Sequence, residues 1–566
     1  MNRPRLGFTP LLALISFLLV SCGPDDSSSS AEPSNRPMDP NHLEIVFTYG
    51  SEKEEWIKEV TETFNRENRK IASNKIIHIT ALPMGSGECI DEILNGTRQT
   101  HLVSPASGAF IKLANAKSRV KTGKDLIGST ENLVISPVVI AMWKPMAEAL
   151  GWGKKPLGWS DILDRARDPK GWSSLGQPQW GQFKFGHTHP EFSNSGLISL
   201  FAEVYAGAGK KNNLTLADLK NPAVAKYLAD IEKSVVHYGS STGFFGKKMF
   251  ANGPNYLSAA VLYENMVIES YSDKYAGKLP FPIVAIYPKE GTFWSDHPVG
   301  LVERDWVTPD HREAAKIYVD YLLAKPQQEK ALPHGFRPSA VDVALTSPID
   351  TAHGVDPKEP QTTLEVPEPE VMDAIVQLWR QHKKHSNVTL VLDVSGSMQE
   401  ENRMENAREG ALQLLSILSD DDSFSLLPFN DRPLWAAQNI PLKQSRADIE
   451  IKIKSLYAGG GTALYDATLE AFREQMNQRN ANEGRISAIV VLTDGDDTNS
   501  STKLETLLSQ ITSDNEIKNI RIFTIAYGSG ARKDILKQIA DRTQAKSYEG
   551  TPQNIRSVFR DISTFF

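Results

Sequence analysis

Apolar and polar positions switch repeatedly between two periods along this chain. Short runs rich in β-branched and aromatic residues end in small polar turns, and segments with helical spacing follow. Leu43-Glu44-Ile45-Val46-Phe47-Thr48-Tyr49 reads as a first strand ending at Gly50-Ser51, with a helix expected from about Glu52 to Asn68. Ile76 to Ala81 reads as a second strand, closed by Gly85-Ser86-Gly87 and another helix. Leu102-Val103 leads into Ser104-Pro105-Ala106-Ser107-Gly108, and Asn132 to Lys144 is an apolar stretch holding Ser136-Pro137. Phe183 to Pro190 precedes Asn194-Ser195-Gly196 and a helix; a longer helix is expected over roughly Tyr256 to Tyr271, and a late strand over Phe281 to Tyr287. Recurring strand, Ser/Gly turn and helix N-terminus predict an α/β fold. Such turns present backbone N–H groups and hydroxyls to a polar ligand.

Towards the C-terminus the strands become continuous apolar runs, the mark of parallel strands buried on both faces. Val388 to Leu392 runs into Asp393-Val394-Ser395-Gly396-Ser397, and Ile489 to Leu492 runs into Thr493-Asp494-Gly495. Between them lies Gly459-Gly460-Gly461-Thr462. Ligands of open α/β sheets bind at the carboxyl ends of the strands, so these loops are expected to converge. Every donor is a hard oxygen, which suits Mg²⁺, with Mn²⁺ and Ca²⁺ as alternatives, and disfavours zinc or copper. The carboxylates of Asp393 and Asp494 balance a divalent charge.

These three motifs, in this order, resemble the metal-ion-dependent adhesion site of von Willebrand factor A domains, over roughly residues 386–566. The resemblance implies that Ser395, Ser397 and Thr462 bind the metal directly or nearly so. It implies that Asp393 and Asp494 act mostly through bound water or ligand hydrogen bonds. It also implies an open coordination position, commonly filled by the carboxylate of a partner protein.

Residues 42–345 resemble bacterial extracellular solute-binding proteins of the two-lobed, hinged kind. The resemblance rests on the order of strands and helices, the crossover-like segment Asn132 to Lys144, and the late Gly335-Phe336-Arg337-Pro338. By analogy, Ser51, Ser86, Ser107, Ser136, Asn194 and Ser195 are candidate ligand-binding residues. Helix capping and turn chemistry is the competing role for each. Glu264 has two candidate places, at the ligand or at a solvated or hinge-side position. His187 and His189 share a face if their segment is a strand, but no third metal ligand stands at a recognisable spacing. The expected fold class is therefore a two-lobed periplasmic-binding-protein-like region followed by a doubly wound Rossmann-like von Willebrand factor A domain.

Arg3 and Arg5 precede a mostly apolar run from Leu6 to Val20, which fits a signal peptide rather than a membrane span. It ends in Leu19-Val20-Ser21-Cys22-Gly23, which resembles the bacterial lipobox, in which the Cys is lipidated. Residues 1–21 are thus expected to be a lipoprotein signal peptide. Residues 22–41, with Ser27 to Ser30 and several Pro, are expected to be a flexible tether. Residues 346–385 read as a linker, extended over Pro357 to Glu370, then a short amphipathic helix over Glu370 to His382 packed between the domains. Several acyl chains anchor without a spanning helix, and Gly23 implies the outer membrane in a Gram-negative cell.

A formal net charge of −7 gives no support to nucleic-acid binding. Only Cys22 and Cys89 are present, so a modified Cys22 leaves no internal disulfide. No Ser–His–Asp set or paired catalytic carboxylates follow from the spacings, and no enzyme is expected. Two functions remain. One is a lipid-anchored envelope protein that binds a ligand in its hinged region and a protein partner through a divalent-metal site. The other is a solute-binding receptor of a transport system, with the C-terminal domain as an accessory.

Overall fold

The computed structural model describes residues 41–478, 485–511, 520–528, 530–543, 545–552 and 554–565. The expected signal peptide, Cys22 and nearly all of the expected tether lie outside the described residues.

The first lobe is built on a five-stranded sheet, in the order Ile76–Met84, His42–Gly50, Leu102–Ser104, Pro298–Val302 and Ile127–Asn132. The first three strands are parallel, and Pro298–Val302 runs against both of its neighbours. The second lobe has a seven-stranded sheet along the path Trp294–Ser295, Val134–Trp143, Ala259–Tyr263, Phe185–Thr188 and Val235–Gly239. Ile283–Ile286 and Arg337–Pro338 also pair with Val134–Trp143. The chain passes between the sheets where Asn132 gives way to Val134, and again where Ser295 gives way to Pro298. The expected crossover at Asn132 to Lys144 is thus the first strand of the second lobe.

One expectation fails within this lobe. Tyr256 to Tyr271 is not a continuous helix: Ala259–Tyr263 is a strand and only Glu264–Glu269 is helical. Every residue from Ala259 to Ile268 is buried. A segment enclosed on all sides carries no amphipathic period, so its apolar spacing could not separate the two.

Residues 357–368 form no free extended linker either. Leu364 N–H donates to the Thr292 carbonyl at 2.8 Å, and Thr292 N–H donates to that of Thr362 at 3.1 Å. The helix Pro369–His382 buries Val371, Met372, Ile375 and Trp379 in the core of the second lobe.

The C-terminal domain holds a six-stranded sheet, ordered Ala437–Pro441, Ser423–Phe429, Ser386–Asp393, Ile486–Thr493, Arg521–Tyr527 and Ser547–Gly550. All pairs are parallel except the one made by Ala437–Pro441. Val388, Leu390 and Leu392 join one core, while Val391 joins Ile489 and Val491 in the other. Successive side chains of a strand point to opposite faces, so each strand feeds both layers of a doubly wound domain. The strand order reverses direction between Ser386–Asp393 and Ile486–Thr493, and the first and third motifs stand at the carboxyl ends of these two strands.

Candidate functional site

Asp393 ends its strand fully buried, and its two oxygens are already directed. Oδ1 accepts from Ser395 N–H at 2.7 Å, and Oδ2 accepts from the Thr493 hydroxyl at 2.5 Å. The Ser395 and Ser397 hydroxyls lie 3.1 Å apart, and Ser397 donates to Asp494 Oδ1 at 2.6 Å. Gly460, at φ 88°, bends the glycine loop in a conformation that disfavours other residues. The Gly460 carbonyl accepts from Gly396 N–H at 3.0 Å, and Gly459 N–H donates to Val394 O at 2.7 Å. This ties the glycine loop to the Ser loop and delivers Thr462. A carbon placed on Gly495 would sit 3.9 Å from the hydroxyls of both Ser397 and Thr462. The fold therefore gathers Asp393, Ser395, Ser397, Thr462 and Asp494 at one point.

The electrostatics fit a cation. Burial pushes Asp393 up to about 6 against the hydrogen bonds it accepts, and Asp494 adds to the rise. Two buried carboxylates this close disfavour joint ionisation unless a positive group stands beside them. Arg403 is one such group: Nη1 lies 2.9 Å from Asp494 Oδ2. Arg403 and Thr493 escaped the sequence reading. Thr493 lies within the strand-end motif Thr493-Asp494-Gly495, whereas nothing in the sequence ties Arg403 to a residue 91 positions away. The oxygen donors present match a divalent ion held by Ser395, Ser397 and Thr462, with Asp393 and Asp494 orienting groups around it.

The second candidate site is the junction of the two lobes. Ser51 Oγ lies 2.8 Å from Ser241 Oγ and accepts from Gly243 N–H at 3.1 Å, joining the end of the first strand to the second lobe. Asn194 donates from Nδ2 to the Tyr263 hydroxyl at 2.9 Å and to Ser295 Oγ at 3.1 Å, while its Oδ1 is buried without a hydrogen-bond partner. The other four candidates serve local geometry. Ser86 Oγ accepts from Ala106 N–H, and Ser107 caps the helix Gly108–Thr122 by accepting from Ala109 N–H. Ser136 is bonded to Asn265, and Ser195 to Thr188 and Thr242. All six are buried at this junction or at adjoining strand ends.

A buried charged trio adjoins Ser51. Lys53 Nζ lies 2.7 Å from Glu52 Oε1 and 3.1 Å from His297 Nδ1, and His297 Nδ1 is 3.2 Å from the same carboxylate oxygen. Burial opposes the charge on Glu52, but Lys53 and His297 outweigh it and hold the group at about 2. Burial, then Lys53, brings His297 down to about 4, so the ring is neutral at pH 7. Nδ1 faces both Lys53 and the Glu52 carboxylate, and Nε2 is buried without a hydrogen-bond partner. His297 also takes φ 38°, a strained conformation for a non-glycine residue, where the chain crosses between lobes. Lys53 and His297 are 244 positions apart, which hid their meeting from the sequence.

Two earlier candidates fall elsewhere. Glu264 does not face this junction as a free group. Arg337 grips it at 2.8 and 2.7 Å, and the Tyr287 hydroxyl donates to it. Arg337 also holds the carbonyls of Asp356, Pro357 and Glu359, so the pair fastens the linker to the second lobe. His189 stacks on Phe192 at 4.2 Å and meets Trp379 edge-on at 5.0 Å.

A family model described as bacterial extracellular solute-binding protein matches residues 45–337. The chain belongs to this family. A second model, the von Willebrand factor type A domain, matches residues 387–559. This solute-binding family member is 30% identical over 177 residues to an uncharacterized protein of Synechocystis sp., covering 31% of this chain and 40% of that protein. It is 24% identical over 267 residues to inter-alpha-trypsin inhibitor heavy chain H2 of Mus musculus, covering 44% of this chain and 26% of that one. The matches thus span less than half the length of either relative. Among solved structures, a periplasmic thiamin binding protein aligns at TM-score 0.44 and 14% identity, over 61% of this chain and 98% of that one. A von Willebrand factor type A protein from Catenulispora acidiphila aligns at TM-score 0.29 and 20% identity, over 32% of this chain and 42% of that one.

Proposed function

We propose that the protein is a solute-binding receptor of the bacterial cell envelope whose two lobes close on a small polar solute, with the von Willebrand factor A domain as an accessory. Membership of the solute-binding family supports the class. The observation that carries the site is two buried, partnerless polar atoms at the lobe junction: Asn194 Oδ1, an acceptor, and the ring nitrogen His297 Nε2. Left unbonded, such groups cost about 1–3 kcal/mol each, and a polar solute relieves that cost. The ion pair of Glu52 and Lys53 brings no net charge, which favours a neutral or zwitterionic solute. The role is binding, not catalysis.

The experiment is native mass spectrometry of the full chain, followed by thermal shift against the solutes found. Asn194→Ala is expected to weaken the shift about fivefold or more in solute concentration, as loss of a buried hydrogen-bonding group does. An unchanged response in this variant would remove the junction as the solute site.

A second reading rests on the convergence of Asp393, Ser395, Ser397, Thr462 and Asp494. In it the divalent ion, most naturally Mg²⁺, docks a carboxylate of a protein partner, and Cys22 carries the lipid that holds the protein at the envelope. Cys22→Ser is expected to leave the protein in the soluble fraction. Retention of that variant in washed membranes would count against lipid anchoring.

A further inference from the structure

The strand Phe185–Thr188, the helices Asn194–Ala208 and Pro222–Glu232, and the strand Val235–Gly239 bring four functional side chains together inside the second lobe. These are His187, Glu203, Glu232 and Tyr238, all at or below 1% exposure. One donor atom from each of His187, Glu203 and Glu232 lies within 4.8 Å of the other two.

The hydrogen bonds set the chemistry of this cluster. His187 Nδ1 is 2.8 Å from the Thr188 carbonyl oxygen, which can only accept, so Nδ1 carries a proton. Nε2 then faces Glu232 Oε1 at 3.0 Å. Nε2 and that carboxylate oxygen therefore share a positive species, a proton or a metal ion in its place. Tyr238 donates to Glu232 Oε2 at 2.7 Å, and Ser199 donates to Glu203 Oε1 at 2.8 Å. Glu203 Oε2 is buried without a hydrogen-bond partner. Lys384, the nearby cation, spends its Nζ on the Val235 carbonyl at 3.0 Å. Burial and the Glu232 carboxylate both disfavour the ionised form of Glu203.

An imidazole whose second nitrogen donates to a backbone carbonyl, beside carboxylates steadied by hydroxyls, has the arrangement that metal-ligating histidines show. One nitrogen and two carboxylates suit Zn²⁺ first, then Mn²⁺ or Fe²⁺, and offer nothing soft for Cu⁺. We propose that His187, Glu203 and Glu232 bind one divalent transition-metal ion, zinc by preference, that pins the strand Phe185–Thr188 to the two helices beside it. The site is separate from the all-oxygen site at Asp393. It also backs the surface where the domains meet, because the Tyr238 ring packs on Trp379 at 5.3 Å and Tyr238 N–H donates to Thr564 O at 2.7 Å.

The test uses the full chain carrying Asp393→Ala, which silences the other site. Metal content is measured by plasma mass spectrometry after purification without chelator. The protein is then stripped and titrated with zinc chloride, manganese chloride and magnesium chloride while unfolding is followed. The proposal expects close to one equivalent of zinc or manganese per chain and a rise of several degrees on adding micromolar Zn²⁺, with none from Mg²⁺. Glu203→Gln keeps the bond from Ser199 and is expected to lose both the metal and the rise. His187→Gln gives an independent check should that variant fold poorly. Overturning results are a stripped protein that neither Zn²⁺ nor Mn²⁺ stabilises, or metal content unchanged in both variants. In that case a shared proton, not a metal, lies between these groups.

Discussion

At the scale of single residues, Asp393 decides how the oxygen site responds to pH. Burial raises it from the ordinary value of about 3.9 to about 6, so the folded chain holds this proton more tightly than the unfolded one. The stability it lends the metal-free protein is therefore present below the ordinary range and lost as pH rises through about 6. A divalent ion held there as proposed needs the ionised form, which reverses that dependence. Saturating Mg²⁺, at about a hundred times its dissociation constant, is worth about 2.7 kcal/mol at neutral pH. The resulting rise in unfolding temperature is expected in full at pH 7.5 and should fade as pH falls through 6. Asp393→Ala keeps the fold and shows no rise at any pH. Calorimetry with EDTA and with Mg²⁺ at several pH values checks both statements; a rise undiminished at pH 5 would detach Asp393 from the metal.

At the scale of elements, the contact between lobes depends on the N-terminus of the helix Ser86–Leu94. Gly87 N–H donates to Phe192 O, in the other lobe, at 2.8 Å. A Cβ on Gly87 would lie 1.9 Å from Glu191 O and 2.9 Å from Phe192 Cα. Alanine suits a helix better than glycine by about 1 kcal/mol, so Gly87→Ala does not harm its own lobe. The expected result is a protein that folds normally but cannot close. Small-angle scattering should give a larger radius of gyration than the parent, with weaker solute binding. Equal radii and equal binding would mean that the lobes do not meet through this helix. The turn Gly85-Ser86-Gly87 was legible in the sequence as a feature of the solute region, but its glycines could not be read as contact points. Much else at this scale was legible where burial is one- or two-sided in a regular way. The runs Val388–Leu392 and Ile489–Leu492 announced parallel strands, and their loops announced the oxygen site. Ala259–Tyr263 was misread because an enclosed segment loses its periodicity. The trio of Glu52, Lys53 and His297 was invisible, because only the crossing between lobes brings His297 to residues near the start of the chain.

At the scale of the whole described structure, the helix Ile555–Ser563 ties the von Willebrand factor A domain to both lobes at once. Arg560 Nη1 lies 2.7 Å from Glu88 Oε1 in the first lobe, and its guanidinium sits 5.7 Å from the ring of Phe192 in the second. Lys248 of the second lobe lies 3.8 Å from the ring centre of Phe565. Burial raises Glu88 above the ordinary carboxylate range, and Arg560 is the largest influence in the other direction. Arg560→Ala would leave that carboxylate buried without its cation, a loss on the order of 3 kcal/mol. The expected calorimetric trace then splits, with the C-terminal domain unfolding before the lobes, where the parent chain unfolds as a coupled unit. Glu88→Gln removes the stranded charge, so the double variant should recover most of the lost stability. The coupling read from that cycle measures how strongly the two domains are joined. If Glu88→Gln fails to rescue, the Arg560 effect comes from packing against Phe192 and not from the ion pair.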